Sequence, residues 1–273
     1  MPEALDKLCV HSITTKPWSL DVALEKYAAA GIGGISIWQD AARGLGIPEA
    51  RRQLAAYPVE VVSYVRGGFF PHSSAEARQR ANDNNREMID EAAALGAPLL
   101  VLVCGAEPQQ SLGESRKQIQ AGIEDLLDHA TGCGVQLAIE PLHPMYADTR
   151  SAISTLGQAN DIAEAIDDPK VGVAVDVYHL WWDDRLEAEI RRCGANGNLS
   201  AFHVCDWKVP TDDMLNDRGL MGEGCIDVPL IRSWVEAAGF SGYNEVEIFS
   251  HRYWDMDQDD FLNRIIEAYR QHT

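Results

Sequence analysis

Several features that define common protein classes are missing from this 273-residue sequence. It contains no run of about eighteen apolar residues, and the start, MPEALDKLCV, has no basic segment followed by an apolar one, so we expect a cytoplasmic chain with no membrane partner. The six cysteines form no C-x-x-C pair, which argues against a disulfide framework and against a zinc knuckle. Neither G-x-G-x-x-G nor G-x-x-x-x-G-K-[ST] occurs, which argues against the common nucleotide-binding folds.

Positive charge is also scarce. The chain has 23 lysines and arginines against 42 acidic residues, a formal charge of −19 that repels nucleic acid, so we expect no nucleic-acid partner. With 46% hydrophobic and 24% charged residues, the composition is that of a folded globular protein. The length suits an enzyme-sized fold with a large core.

Strand-like and helix-like segments alternate along the whole chain. Eight short segments rich in Val and Ile predict strands at 8–13, 33–38, 59–65, 98–104, 135–140, 171–176, 199–204 and 243–248. Helices are predicted near 20–30, 48–56, 74–95, 114–131, 151–166, 184–193, 229–238 and 258–271. No linker interrupts the alternation, so we predict an α/β fold, a single (β/α)8 TIM barrel domain over residues 1–273.

The ends of several predicted helices carry local signals. Ser74 and Ser111 stand where a side chain can cap a helix, and four glycines follow predicted helices where a left-handed residue is favoured: 31, 96, 132 and 239.

Four successive predicted strands end in or carry a residue that can bind a metal ion. These are Glu140, Asp176, His203 and Glu247, on strands five to eight. The carboxyl ends of the strands form the active-site rim of such a barrel. One such residue alone could cap a helix or lie satisfied in the core, but four on adjacent strands predict one divalent metal, because unpaired charges near a barrel interior are costly.

The ligand set also indicates the kind of metal and its chemistry. Three carboxylates and one imidazole suit Mn2+, with Mg2+ and Co2+ as alternatives, and leave open coordination positions. A carbonyl and a neighbouring hydroxyl of a sugar could occupy those positions. The ion would then stabilise the enediolate that forms when the intervening C–H loses its proton.

The ligand set, the D-x-x-H of Asp176 and His179 and the late MGEGCID segment resemble the xylose isomerase-like superfamily of sugar phosphate isomerases and epimerases. The resemblance implies that Glu140 and Glu247 bind metal and form a catalytic acid/base pair, with Asp176 and His203 as ligands only.

The same resemblance implies two substrate contacts. His179 is similar to a histidine that hydrogen-bonds a substrate oxygen, and Arg218 in DRGLMGEG is similar to an arginine that holds another. The alternative for Arg218 is an ion pair with Asp217 or another neighbour.

Two residues near the predicted rim depart from the simplest epimerase pattern. His143, in EPLHP, is either an additional catalytic base or a loop histidine bonded to backbone. Asp206 could orient His203, contact the substrate or lie on the surface.

Aromatic residues are frequent near the predicted strand ends. Among them Trp38 and Trp182 are candidate sugar contacts, although clustered aromatics also pack loops. The loops after strands seven and eight offer as cations only Lys208, Arg218 and Arg252, so we expect a neutral sugar or glycoside and not a sugar phosphate.

The predicted function is a metal-dependent isomerase or epimerase that abstracts a proton beside a carbonyl of a ketose-type sugar. One alternative is a lyase that cleaves a 3-oxo-glycoside, because the resemblance extends to C-glycoside deglycosidase α subunits, with His143 as base and a small β subunit as partner. Dehydration of an inosose and a metal-free binding protein are further alternatives. Homo-oligomers are common among similar barrels.

Overall fold

Eight parallel strands close into a barrel in the structure, a computed structural model that describes residues 4–273. The first three residues of the predicted domain lie outside this range. The barrel strands are β1 (Leu8–His11), β2 (Gly34–Trp38), β3 (Glu60–Gly68), β4 (Leu99–Val103), β5 (Gln136–Glu140), β6 (Val171–Asp176), β7 (Leu199–Val204) and β10 (Asn244–Val246). Because β10 pairs in parallel with both β7 and β1, the ring is complete and the predicted (β/α)8 fold is confirmed.

Helices surround this ring. They are α1 (Leu20–Ala30), α2 (Gln39–Leu45), α3 (Ile47–Leu54), α4 (Ala75–Leu95), α5 (Leu112–Glu124), α6 (Leu127–Cys133), α7 (Leu156–Ile166), α9 (Leu186–Ala195), α10 (Val228–Ala237) and α12 (Gln258–His272). With helices outside and side chains inside, a strand such as β4 is buried at every position, which is why it reads as the unbroken apolar run LLVLV. Within residues 4–273, no helix is both long and apolar enough to cross a membrane.

One predicted helix end is wrong. The segment expected as a single helix at 114–131 forms α5 and α6, and Gly132 lies inside α6. The left-handed residue that ends α6 is Gly134, with φ of 75°. The helix continues past Gly132 because Gly134 supplies the positive φ that a side chain would resist.

The carboxyl end of the barrel carries short additional elements. An antiparallel pair joins β8 (Asp206–Trp207) to β9 (Arg218–Gly219), and single helical turns form at α8 (Val177–Leu180) and α11 (His251–Trp254). Each follows or lies close to the end of a barrel strand, so these segments build the walls of the barrel mouth.

Candidate metal centre and substrate pocket

Four side chains converge inside the barrel at the carboxyl ends of its last four strands. Glu140 and Asp176 end β5 and β6, His203 lies in β7, and Glu247 follows β10 directly. One nitrogen or oxygen atom from each lies within 4.8 Å of the others. All four residues are buried, with exposed fractions of 4% or less. The structure thus brings together the four residues predicted from sequence as ligands.

Two facing atoms of this cluster have no hydrogen-bond partner among the residues that the structure describes. Nδ1 of His203 and Oε1 of Glu140 lie 2.9 Å apart, but in a geometry that satisfies neither atom. A buried polar atom without a partner costs about 1–3 kcal/mol. One cation at the centre of the cluster would satisfy both atoms and would also neutralise the Asp176 and Glu247 carboxylates. The donor set therefore fits a divalent metal ion.

The pKa values in the cluster show the same need for positive charge. Burial raises the pKa of Asp176 to about 7 against the opposing effect of Arg218. Burial lowers the pKa of His203, but the carboxylates of Glu245 and Glu140 outweigh that effect and the pKa rises to about 10. Holding protons is one way in which buried carboxylates reduce their negative charge, and binding a divalent cation is the other.

Arg218 extends from β9 into the same site. Its Nη1 lies 2.8 Å from Oε2 of Glu247 and 3.4 Å from Oδ2 of Asp176. Asp217, the neighbour considered as its partner, pairs instead with Lys208. Arg218 therefore pairs with two of the proposed ligands, and it also lines the pocket above them.

His179 faces the pocket from α8. Its Nδ1 accepts the backbone N–H of His143 at 3.2 Å, which places the ring proton on Nε2, and Nε2 lies 3.4 Å from Nη2 of Arg218. Burial, and then the charge of Arg218, holds the pKa of His179 well below its usual value. A neutral imidazole beside Arg218 is thus presented to a ligand.

His143 adopts the second of its two predicted alternatives. Its Nδ1 accepts the backbone N–H of Met145 at 3.2 Å, and its ring packs on Trp207, with 5.0 Å between centroids. It is not among the residues that line the pocket. His143 thus makes the backbone contact of a loop histidine, and its role as a catalytic base stays a prediction.

The carboxylate of Asp206 is fully occupied by backbone groups. Its carboxylate accepts four backbone N–H groups, from Trp207, Gly222, Gly224 and Ile226, at 2.8–3.0 Å. Both oxygens are thereby occupied, and Asp206 is completely buried. It anchors the MGEG loop and does not lie on the surface, whereas a role toward His203 or the substrate stays a prediction.

The carboxylate near the far side of His203 is Glu245, two residues before Glu247 and so on the same face of the strand. Its Oε2 accepts a hydrogen bond from Ser36 at 2.6 Å and lies 3.1 Å from Nε2 of His11 and 3.7 Å from Nε2 of His203. Nδ1 of His11 lies 3.0 Å from Oε1 of Glu247. Glu245 thus lies near one proposed ligand directly and reaches another through His11.

Neither His11 nor Glu245 was proposed from sequence. The available signal was the alternation in NEVEI, which places two glutamates on the inner face of the last strand.

Of the two tryptophans proposed as sugar contacts, the structure places one in the pocket. Trp38 lines it, together with Tyr146 and Phe249. Trp182 lies outside, 36% exposed, and its Nε1 donates to the backbone carbonyl of His179. Trp182 thus packs at the rim, and its role as a substrate contact stays a prediction.

Two pocket arginines were also missed from sequence. Arg66 lies near the carboxyl end of β3, and Arg150 precedes α7. Both arginines line the pocket with Glu140 and Arg218. Both arginines lie outside the loops after strands seven and eight, the usual phosphate-binding loops of a barrel, but side chains from every strand end can reach the same mouth.

Similarity to known proteins shows the family of this chain. The model of the xylose isomerase-like TIM barrel family matches residues 24–271. The chain belongs to this family. Solved structures of sugar epimerases share the barrel.

Three relatives illustrate the range of similarity within the xylose isomerase-like barrels. An inosose isomerase from Halalkalibacterium halodurans is 24% identical over 179 residues, which cover 64% of this chain and 61% of that protein, less than two thirds of its length. A protein of known structure from Sinorhizobium meliloti 1021 is 44% identical, with a TM-score of 0.95 and 98% of each chain covered. The IOLI protein, solved with a bound zinc atom, is 20% identical, with a TM-score of 0.84 and 96% of each chain covered.

Proposed function

We propose that this chain is a divalent-metal-dependent sugar isomerase or epimerase that moves a proton beside the carbonyl of a ketose-type sugar. The observation that carries the proposal is the buried cluster of three carboxylates and a histidine, in which Glu140 and His203 have facing atoms without partners. The zinc in the IOLI protein and the relatives named inosose isomerase support it. We propose Mn2+ as the native metal because carboxylate oxygens dominate the set.

The acid/base pair would be Glu140 and Glu247. When bound, a divalent cation supplies positive charge that stabilises the negative charge developing on the carbonyl and hydroxyl oxygens as the C–H ionises. Glu247 is held by His11 and Arg218, whereas Oε1 of Glu140 has no hydrogen-bond partner. Glu140 is therefore the carboxylate freer to take the proton, and Glu247 is the more firmly oriented of the two.

The remaining pocket residues would bind and orient the sugar. Arg218 and the Nε2–H of His179 present neighbouring donors for substrate oxygens. The rings of Trp38 and Phe249 meet edge to face at 5.1 Å and form an apolar wall suited to the C–H surface of a sugar. This wall also limits the access of water to the reacting carbon.

Cleavage of a 3-oxo-glycoside ranks second. One protein with the same fold is named a 3-keto-D-glucoside 4-epimerase, which supports a substrate of this kind. The residue that favoured cleavage was His143, however, and its ring packs against Trp207 outside the pocket. Among residues 4–273, the pocket lining supports Glu140 and Glu247 as the acid/base pair for this reaction too, without His143.

The test is proton exchange in D2O. The Mn2+-loaded protein is incubated with free ketoses, an inosose and 3-oxo-glycosides, and proton NMR follows deuterium uptake, sugar interconversion and aglycone release. Glu140→Gln should lower the exchange rate by about 10²–10⁴-fold, the usual contribution of a general acid or base. The exposed Glu124→Gln is the matched control and should exchange normally.

Each result of this experiment bears on the proposal. Aglycone release would establish the lyase instead. Normal exchange by Glu140→Gln, or an absence of bound metal by elemental analysis, would overturn the proposed function.

A further inference from the structure

Two arginines at the mouth of the pocket have no acidic partner. Neither Arg66 nor Arg150 has a carboxylate oxygen within 4.0 Å or a hydrogen bond from its guanidinium within the described part of the chain, residues 4–273. Arginines elsewhere behave differently, because Arg43, Arg86 and Arg192 each pair with acids. In a chain with 42 acidic residues, two unpaired arginines in one pocket call for an explanation.

Aromatic rings hold both guanidinium groups in place without using their hydrogen-bond donors. Arg66 lies over Phe69 at 4.9 Å and over Trp38 at 5.8 Å, and Arg150 lies over Tyr146 at 5.5 Å. Such stacking fixes the plane of a guanidinium and leaves its N–H groups free to bind an oxygen ligand. Nε of Arg66 is buried and unpartnered.

The two charges also disfavour one another. Burial lowers the pKa of Arg66, and the charge of Arg150 lowers it further. Two cations placed together in a partly desolvated pocket are costly unless an anion joins them. The position is therefore one where a negatively charged ligand group would be stabilised.

The metal centre below does not need these two charges. Its three carboxylates, Glu140, Asp176 and Glu247, are balanced by Arg218 and one divalent cation, and the deeper Glu245 faces His11. Arg66 and Arg150 are then an excess of positive charge at the mouth. Because the protein carries a formal charge of −19, an anionic substrate would require such a local excess of positive charge in order to bind.

We propose that the substrate is a sugar bearing an anionic oxygen group, a carboxylate or a phosphate, which Arg66 and Arg150 bind while the carbonyl end of the sugar reaches Glu140 and Glu247. This inference rests on the proposed function and replaces the expectation of a neutral sugar. Arg66 and Arg150 line the same pocket as Glu140 and Glu247, so one ligand can face both the arginines and the glutamates.

The test compares three ketoses that differ only at carbon six: D-fructose, D-fructuronate and D-fructose 6-phosphate. Calorimetric titration of the Mn2+-loaded full chain measures binding, and proton exchange in D2O is recorded separately with each sugar. At least one anionic sugar should bind about tenfold or more tightly than fructose, the scale of a hydrogen bond to a charged group. The favoured member identifies carboxylate or phosphate.

Two variants and one control assign the effect to the arginines. Arg66→Met and Arg150→Met should each remove about tenfold of the preference for the anion and leave the metal content unchanged. Arg80→Met, which removes an exposed arginine of α4, should leave the preference intact. Retention of the preference in both pocket variants would overturn the assignment.

The two proposals can fail separately. Equal binding of the three sugars, or no binding of either anionic one, would overturn the anion site, while exchange with fructose would still support the proposed function. Tight anion binding without exchange would establish the site and remove the proposed reaction.

Discussion

Three groups of side chains among residues 4–273 could hold a metal ion; two are buried and share His203, and the third lies at the surface. The inner group, around His203, is fully enclosed by the barrel. The outer group, Asp90, His129 and Cys133, lies on α4 and α6, and the side chains of Asp90 and His129 are 61% and 34% exposed. In both groups, the possible ligand atoms lie within 4.8 Å of one another.

The difference lies in how each group satisfies its polar atoms. Nε2 of His129 lies 2.9 Å from Oδ1 of Asp90 as a hydrogen bond, and water can serve the remaining atoms. In the inner group, Nδ1 of His203 and Oε1 of Glu140 are buried and have no hydrogen-bond partner among residues 4–273. Ligand atoms lie close together in both groups. Buried ligand atoms without a hydrogen-bond partner are therefore what distinguishes the metal centre.

Removal of the metal is the sharpest way to separate the two groups. Dialysis against a chelator should abolish exchange activity, and one equivalent of Mn2+ should restore it. Elemental analysis should find no tightly bound ion in Asp176→Asn and an unchanged content in Cys133→Ser. Loss of the ion from Cys133→Ser would locate the metal at the surface instead.

Loss of a buried histidine should destabilise the protein most. His11→Phe leaves Glu245 and Glu247 without the imidazole they share, so the free energy of unfolding should fall by about 3–5 kcal/mol. Urea denaturation of the metal-free protein measures it, with His129→Phe as the surface counterpart. Equal losses of unfolding free energy in the two variants would show that burial does not determine the cost of removing the histidine.

The carboxylate beneath His203 should act on the metal more than on the fold. Glu245→Gln should weaken Co2+ binding by about 10–100-fold, because a partner near the far nitrogen of a ligating histidine fixes the orientation of its ring. The visible absorption of bound Co2+ should also change, which a purely structural role would not produce. An unchanged affinity and spectrum would exclude this positioning role.

The smallest effect is expected from the surface counterpart of that carboxylate. Asp90→Asn should change the free energy of unfolding by less than about 0.5 kcal/mol, because exposed ion pairs contribute little. Thermal unfolding checks this value. A loss comparable with that of His11→Phe would indicate that the outer group is more than a solvated contact.

The sequence allowed the barrel to be predicted because alternation of strands and helices is a local property. The positions of Glu140, Asp176 and His203 followed as well, since strand ends fix where side chains meet. Arg66, Arg150 and Glu245 were missed because their significance depends on which groups lie opposite them across the barrel. That relation is a matter of three-dimensional packing; the alternation in NEVEI indicates only that Glu245 faces inward.

The residues whose surroundings the sequence did not indicate lie in loops. The directions of His143, Trp182 and Asp206 are set by backbone N–H and carbonyl groups brought in from distant segments, such as those of Gly222 and Gly224 for Asp206. A position near a strand end therefore predicts proximity to the mouth without predicting which way a side chain faces. Gly132 shows the same limit for a helix end.

The Asp206 anchor changes how the MGEG segment should be used in comparing sequences. A Cβ on Gly224 would lie 2.0 Å from the carbonyl oxygen of Trp207, and one on Gly222 would lie 2.6 Å from the ring of His272. Gly222 and Gly224 are therefore required by the path of the chain across the barrel. A search that finds this segment in another protein detects a shared way of folding a loop, and the reaction of that protein has to be inferred from the side chains around it.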